Sequence, residues 1–414
     1  MGGTIGAPVL PGSPATWRAR IAGALSNLAL AAVSVIVALA AAELVLREVL
    51  PPSRGYFVLE PGTDWTVTAA PDVIHGVEGV SHVRVNRFGV RGRPFGDDRT
   101  EYRILAVGGS TTQCWVLDDT NVWTHLLETD LDRTADGRQV WVGNVGRSGA
   151  NTRDHVLHLK YLLPQYPHID VVVSLVGVND MMSALQQGWG YRLPALVTEP
   201  GAENEQLKRA FARVPGGIQD AIRTLNVPWY KATVLWQLAR RVRLARNRSL
   251  AWRGGGPGFL QGARLRRHDT KEWIDSLPPL EGPLIEYRRN LNAMADLAAA
   301  ARVRLVFVTQ PSAWRDGMSD AEERLLWFGW LGKDRQSARY FTTRALSRAM
   351  ARYNGTLLEV CRERGLDCVD AAKVVPADTT ALYDDVHFND HGSLLLARVL
   401  VAHFRERPPF HRSN

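Results

Sequence analysis

Three patterns of apolar and polar positions run along the chain. Between residues 21 and 42 no charged residue occurs, and Ala, Leu, Val and Ile fill the run, interrupted by little beyond Ser26, Asn27 and Ser34. A helix rises about 1.5 Å per residue, so roughly 20 such residues cross the hydrocarbon core of a bilayer. A membrane-spanning helix is predicted over 21–46. Further along, short β-branched runs bounded by Gly, Asn or Asp read as buried strands at 103–107, 139–145, 170–176, 304–309 and 367–369. Between them, apolar residues recur at three- and four-residue spacing and predict helices at about 120–131, 153–163, 284–301, 341–364 and 391–404. Asp118 or Asp119 is expected near the start of the first of these, and Asn389 or Asp390 at the cap of the last.

Strands that alternate with helices imply a parallel sheet covered on both faces. The expectation is therefore a three-layer α/β/α domain over 101–410, preceded by a short N-terminal segment (1–20), the apolar helix and a β-rich connector (47–100) with Val83-Arg84-Val85 alternating ahead of an Asn86-Arg87-Phe88-Gly89 turn. One interval breaks the cadence. At about 183–280 the chain holds far more residues than a crossover helix needs, and a structureless loop of that size would be anomalous. It is read as a cap or lid insertion that shapes a substrate site. It carries Trp189, Trp229, Trp236, Trp252 and Trp273 with Arg240, Arg241, Arg243, Arg246, Arg248, Arg253, Arg264, Arg266 and Arg267. Three readings stand for that stretch: a solvated basic helix face, a membrane-surface contact, and nucleic-acid binding. Gly254 to Gly258 lacks the Lys-Ser/Thr and the preceding strand of a phosphate loop and reads as a flexible turn.

Composition narrows the class. The 414 residues are 45% hydrophobic and 22% charged, enough for a full core, and the net charge of +8 suits phospholipid headgroups, acidic polysaccharide or nucleic acid. Arg18 and Arg20 precede the apolar run, whereas Glu43, Arg47 and Glu48 follow it with no positive excess, so the positive-inside rule places residues 1–20 in the cytoplasm and exports the rest. Export disfavours nucleic acid as a partner. A cleaved signal peptide is the alternative, since Ala40-Ala41-Ala42 offers small residues, but a secretory apolar region is usually only about 7–15 residues. Cys361 and Cys368 are left open between a disulfide and two half-buried thiols, and Cys114 reads as packing.

Four short stretches carry chemistry: Gly108-Gly109-Ser110-Thr111, Arg147-Ser148-Gly149, Gly177-Val178-Asn179-Asp180 and Asp384-Asp385-Val386-His387. Three of them end strand-like runs, where open α/β sheets place ligand sites. Serine needs an adjacent base, and that base needs a partner that fixes its tautomer. Ser110 suits the nucleophile and His387 the base. Asp384 lies three residues before His387 and reaches back naturally to Nδ1, with Asp385 as the alternative. The backbone N–H groups of Ser110 and Gly149 and the side-chain amide of Asn179 would form an oxyanion hole. His387 and His391 make an HxxxH spacing, but His387 is expected to precede the helix and no third ligand is evident. No metal or organic cofactor is required.

In this order and on these elements, the four stretches resemble the blocks of the SGNH/GDSL hydrolase superfamily, over about 101–405 without the insertion. The resemblance implies Ser110 as nucleophile, Gly149 and Asn179 as oxyanion donors, Asp384 and His387 completing a triad, and a five-stranded flavodoxin-like sheet of order 2-1-3-4-5. The first block reads Gly-Gly-Ser-Thr where the family name's version reads Gly-Asp-Ser-Leu, and no Gly-x-Ser-x-Gly elbow occurs. The resulting reading is a membrane-anchored, exported serine esterase that removes O-acyl groups, O-acetyl above all, from a carbohydrate or cell-envelope substrate. An O-acetyltransferase acting on an exopolysaccharide and a non-catalytic glycan- or lipid-binding scaffold are the alternatives.

Overall fold

The computed structural model describes residues 14–49, 55–96, 100–215, 230, 233–236, 238–239, 242–243, 256–332 and 339–411. These fall into two compact units, one formed by residues 1–53 with 216–247 and one by residues 54–215 with 248–414.

The first unit contains helix α1 (Pro14–Val49), whose stretch Ala22–Arg47 has a mean hydropathy of 2.5. Leu25, Leu28, Val33 and Ile36 all stand exposed around it. A helix apolar on every side is suited to a lipid environment. Near its C-terminal end Glu43 accepts hydrogen bonds from the backbone N–H of Val234 (2.9 Å) and Leu235 (3.1 Å) and from Nε of Arg47 (2.9 Å).

The second unit opens with an antiparallel pair, β1 (Asp64–Thr68) and β2 (Val80–Arg84). Its centre is a parallel sheet of β3 (Glu101–Gly108), β4 (Gln139–Asn144), β5 (Val171–Leu175), β7 (Arg304–Val308) and β9 (Asp367–Val369), in the order β4-β3-β5-β7-β9. Counting these five alone, the order is the anticipated 2-1-3-4-5, and this α/β fold follows the alternation in the sequence. Every residue of β3 and β5 is buried, which explains their unbroken apolar character. A two-residue parallel pair, β6 (Trp273–Ile274) and β8 (Tyr340–Phe341), stands apart from the main sheet.

A short turn, α2 (Ser110–Gln113), follows β3, and the longer helices make the layers. Helix α3 (Trp123–Leu131) packs with the C-terminal helix, labelled α12 (Asp390–Arg405). The others in chain order are α4 (Thr152–Gln165), α5 (Val178–Gln187), α6 (Pro200–Ala210), α7 (Gly256–His268), α8 (Glu281–Ala300), α9 (Asp320–Glu323), α10 (Thr343–Arg364) and α11 (Ala371–Val374). Helices α4, α5, α8 and α10 pack on one another. Because right-handed crossovers from β3 to β4 and from β5 onward run in opposite directions, the two groups cover opposite faces. The reversal falls between β3 and β5, and open α/β sheets bind ligands beyond the carboxyl ends of the strands at such a point.

Several local details differ from the sequence reading. Helix α3 starts at Trp123, after Val122, with no side-chain cap. Asp118 instead accepts from the His82 N–H (2.8 Å), and Asp119 pairs with Arg91 and Arg84. Residues 55–96 contribute Val58, Val73, Ile74, Val77 and Val90 to the same hydrophobic core as the sheet. Arg91, 2% exposed, donates to the carbonyls of Gln113 (2.7 Å), Cys114 (2.9 Å) and Leu117 (2.7 Å).

Within the insertion, α6 packs on α4. The reading of a basic surface face fails for two arginines of α7. Arg264 is buried and donates to the carbonyls of Leu325 (2.9 Å), Val73 (2.7 Å) and Tyr383 (2.8 Å). Arg267 is also buried, donates to Phe328 and Phe341 carbonyls and lies over the rings of Trp273 and Tyr340. An arginine with three buried carbonyl acceptors loses little by leaving water. Trp189 and Trp236 are exposed. Trp229, Trp252, Arg240, Arg241, Arg246, Arg248, Arg253 and the glycines at 254–255 lie outside the described residues. Cys361 and Cys368 form a disulfide that joins the end of α10 to β9.

Candidate active site

β3 ends at Gly108, and the chain turns at Gly109 directly into α2, whose first residue is Ser110. A Cβ on Gly109 would lie 2.4 Å from Nδ2 of Asn179, so only glycine leaves room for that amide beside Ser110. The Ser110 hydroxyl donates to Nε2 of His387 at 2.7 Å. Nδ1–H of His387 in turn donates to Asp384, at 2.9 Å from Oδ1 and 2.8 Å from Oδ2. A carboxylate at Nδ1 fixes the proton there and leaves Nε2 as the acceptor.

The Asp-x-x-His spacing has a local cause. Oδ1 of Asp384 accepts from the backbone N–H of Val386 (3.0 Å) and His387 (2.9 Å), and Tyr383 N–H donates to the His387 carbonyl (3.0 Å). The carboxylate thus closes the turn that presents the imidazole. Asp385, the alternative partner, faces the other way and accepts from Trp314 Nε1 (2.8 Å) and the N–H groups of Trp327 (2.7 Å) and Phe328 (3.2 Å).

Burial alone would raise the Asp384 carboxyl, but His387 and the surrounding N–H donors outweigh it and hold the group below its usual range. For His387, burial disfavours the cation, yet the charge and hydrogen bond of Asp384 reverse the balance and raise its pKa above 6.5. Asp385 is pushed up to about 6 by burial and by the charge of Asp384. The two neighbouring carboxyls are therefore driven apart, with the charge kept where the imidazole needs it.

The other two expected donors approach from neighbouring loops. The N–H of Arg147 donates to the Gly108 carbonyl (3.0 Å), and Ala150 N–H donates to the Arg147 carbonyl (3.0 Å), which folds residues 147–150 against the end of β3. Gly149 sits in that turn at φ +77°, a left-handed conformation that a side chain would strain. Asn179, in the first turn of α5, donates from Nδ2 to the Ala150 carbonyl at 2.7 Å. Among the described residues, no hydrogen bond uses the backbone N–H of Ser110 or Gly149. The assembly therefore offers a hydroxyl bonded to an imidazole, a carboxylate behind it and uncommitted N–H groups nearby, the parts that acyl transfer requires. His391 donates from Nδ1 to the Thr380 carbonyl (3.0 Å), and among the described residues no group of three His, Cys, Asp or Glu is gathered for a metal.

The roles of four contributors escaped the sequence reading. Trp327 donates from Nε1 to Oδ2 of Asp384 (2.9 Å), and its ring lies nearly parallel to that of His387, 6.4 Å away. Gln113 accepts from both N–H and Oγ of Ser148 (2.9 and 2.7 Å), tying the turn at 147–150 to α2. Arg264 holds the Tyr383 carbonyl immediately before Asp384. Asp180 accepts from Thr152 N–H at the start of α4 (3.1 Å) and so joins the Gly149 turn to the helix that carries Asn179. Only Asp180, beside Asn179, had a positional signal. Trp327 lies in a segment without periodicity, and Gln113 and Arg264 act on elements distant in sequence.

Residues 106–395 match the family model described as GDSL-like lipase/acylhydrolase. No curated protein matches the chain. Solved structures with similar folds include the acetylxylan esterase Axe2 from Geobacillus stearothermophilus, with 14% identity, 76% of this chain and 97% of that one covered, and a TM-score of 0.36. The lipase/acylhydrolase from Enterococcus faecalis shows 15% identity over 75% of this chain and all of that one, 100%, with a TM-score of 0.38. LAE5, an alpha/beta hydrolase from the metagenome of Lake Arreo, shows 14% identity over 73% and 94%, with a TM-score of 0.37.

Proposed function

Because the chain belongs to the GDSL-like lipase/acylhydrolase family, we propose that it is a membrane-anchored serine esterase removing O-acyl groups, O-acetyl above all, from a carbohydrate or cell-envelope substrate. The observation that carries the proposal is the continuous hydrogen-bond chain from Ser110 through His387 to Asp384, at 2.7 and 2.8 Å.

Oγ of Ser110 attacks the ester carbonyl carbon while Nε2 of His387 takes the hydroxyl proton. The carbonyl oxygen becomes an oxyanion received by the N–H groups of Ser110 and Gly149 and the Asn179 amide. The intermediate collapses as Nε2–H gives its proton to the leaving alkoxide, which departs as an alcohol and leaves an acyl group on Ser110. Water, deprotonated by His387, attacks the acyl carbon, and the acid departs as Oγ recovers the proton. Asp384 keeps its charge throughout and stabilises the imidazolium of each cycle.

Helix α1 supports anchoring through its length and its apolar surface on all sides. The Cys361–Cys368 disulfide supports an oxidising compartment for the catalytic domain. Exposed Tyr230, Trp236, Leu238 and Val242, in the unit that contains α1, support contact with the membrane interface. Acyl-enzyme chemistry is tested by mass spectrometry after brief exposure to p-nitrophenyl acetate. The proposal expects an acetyl adduct on Ser110 with p-nitrophenol release, and loss of both by at least about a thousandfold in Ser110→Ala. Unchanged turnover in that variant would sink it.

A further inference from the structure

The turn that carries Gly149 holds its outer peptides and leaves the middle one free. Ala150 N–H donates to the Arg147 carbonyl (3.0 Å), and Gly149, third of the four residues, has φ +77°. A positive φ at that position marks a type II turn, and the type I form differs from it by reversal of the peptide between the second and third residues. Reversal would exchange the Gly149 N–H for the Ser148 carbonyl. Both groups of the preceding peptide are committed, the Arg147 carbonyl to Ala150 and the Ser148 N–H to Oε1 of Gln113 (2.9 Å). The Ser148 hydroxyl donates to the same oxygen (2.7 Å). Gln113 belongs to α2, three residues beyond Ser110, while Arg147 N–H donates to the carbonyl of Gly108, two residues before it (3.0 Å). The turn is therefore attached to the chain on both sides of Ser110. Ser148 and Gly149 are themselves exposed, and a Cβ at Gly149 would meet nothing within 4 Å, so these bonds and not packing hold the turn.

We infer that Gln113 is a positioning residue for ester cleavage: by holding Ser148 it keeps the Gly149 N–H turned toward the oxyanion that forms on the carbon attacked by Ser110. The inference rests on the acyl-enzyme reading proposed above. A donor lowers the barrier when it is already in place as charge develops, and a peptide that must turn during the reaction loses that gain to reorganisation. The reversed peptide would do worse, since its carbonyl dipole opposes the oxyanion. With its side-chain oxygen bonded to Ser148, Gln113 reaches the reaction through Gly149. Asp384 and His387 are held by each other, by their own turn and by Trp327, so the effect of Gln113 is separable from proton transfer.

The test compares Gln113→Ala, Ser148→Ala and the double variant with wild type on ethyl acetate, and measures inhibition by trifluoroacetone. Oγ of Ser110 adds to the ketone carbon, His387 takes the hydroxyl proton, and the ketone oxygen stays as an oxyanion that reports on its donors. The expected result is a kcat lowered about tenfold in Gln113→Ala and about threefold in Ser148→Ala, with KM within about twofold and the Ki for the ketone raised by the factor that kcat loses. The double variant should fall no further than Gln113→Ala, because both changes break one clasp. The acid limb of kcat/KM, which His387 sets, should stay in place. An unchanged kcat in Gln113→Ala, a displaced acid limb, or a Ki that does not follow kcat overturns the inference. If Gln113→Ala fails to melt cooperatively, Ser148→Ala decides, since that exposed residue keeps its backbone bond: kcat and Ki changing in parallel sustain the clasp, and no change refutes it. If wild type neither turns over ethyl acetate nor forms an adduct on Ser110, the esterase reading itself fails; wild-type turnover without the expected variant effects removes only this inference.

Discussion

Two aspartates adjacent in sequence have opposite tasks, and the difference is set by what donates to them. Asp384 accepts from His387, two backbone N–H groups and the Trp327 indole, and it stays ionised. Because the pKa of His387 is raised above 6.5, its neutral, proton-accepting form is lost as pH falls through that value, and the acid limb of kcat/KM is expected above the ordinary imidazole range. Trp327→Phe keeps the ring and deletes the N–H, which makes the Asp384 carboxylate more basic and its hold on the imidazolium stronger. The acid limb for ethyl acetate should therefore move upward by about half a pH unit, with kcat lowered roughly three- to tenfold. A profile superimposable on wild type would show that the indole is packing alone. At this scale the sequence was legible where spacing is short. Asp384 and His387 lie three residues apart and share one turn, whereas Trp327 reaches them from 57 residues away in the chain.

The elements follow from the sequence to the extent that burial is uniform along them. Fully buried β3 and β5 announce themselves as unbroken apolar runs, and β7 does so nearly as well. The start of α3 was misread because Asp118 and Asp119 look like caps but serve β2 and Arg91 instead. The same limit applies to α7, where basic residues at helical spacing resemble a wet face although Arg264 and Arg267 are buried. Between elements, Asp180 links α4 and α5, and burial first, then Glu286 and Asp154, push its pKa up to about 7 despite hydrogen bonds from Thr152. A carboxyl raised from 3.8 holds a proton in the folded state that the unfolded chain gives up, so its stabilisation is present in acid and is lost as pH rises towards about 7. Asp180→Asn imitates the protonated form. Its melting temperature should gain on wild type by a few degrees between about pH 5 and about pH 8. Parallel curves for the two proteins across that range would refute the link.

At the level of the whole chain, the apolar helix and the catalytic unit are separable in composition and in contacts. A chain beginning at residue 54 should leave the membrane fraction, remain folded and retain turnover of ethyl acetate within about twofold of the full-length protein. Loss of folding would tie α1 to the core. The sequence made this division visible through hydropathy, since no polar face interrupts residues 21–42. What it hid was the depth to which residues 55–96 enter the core.

The carbonyl contacts of Arg91 and Arg264 bear on how the gene can be divided. Arg91 grips the chain just after Ser110, and Arg264 clasps the Val73 carbonyl together with that of Tyr383. The stretch recognised as family-like, 106–395, starts inside β3 and stops inside α12. An expression boundary or fusion joint placed at that edge would sever both clasps and half of two elements, so the transferable cassette is the segment from about residue 54 onward.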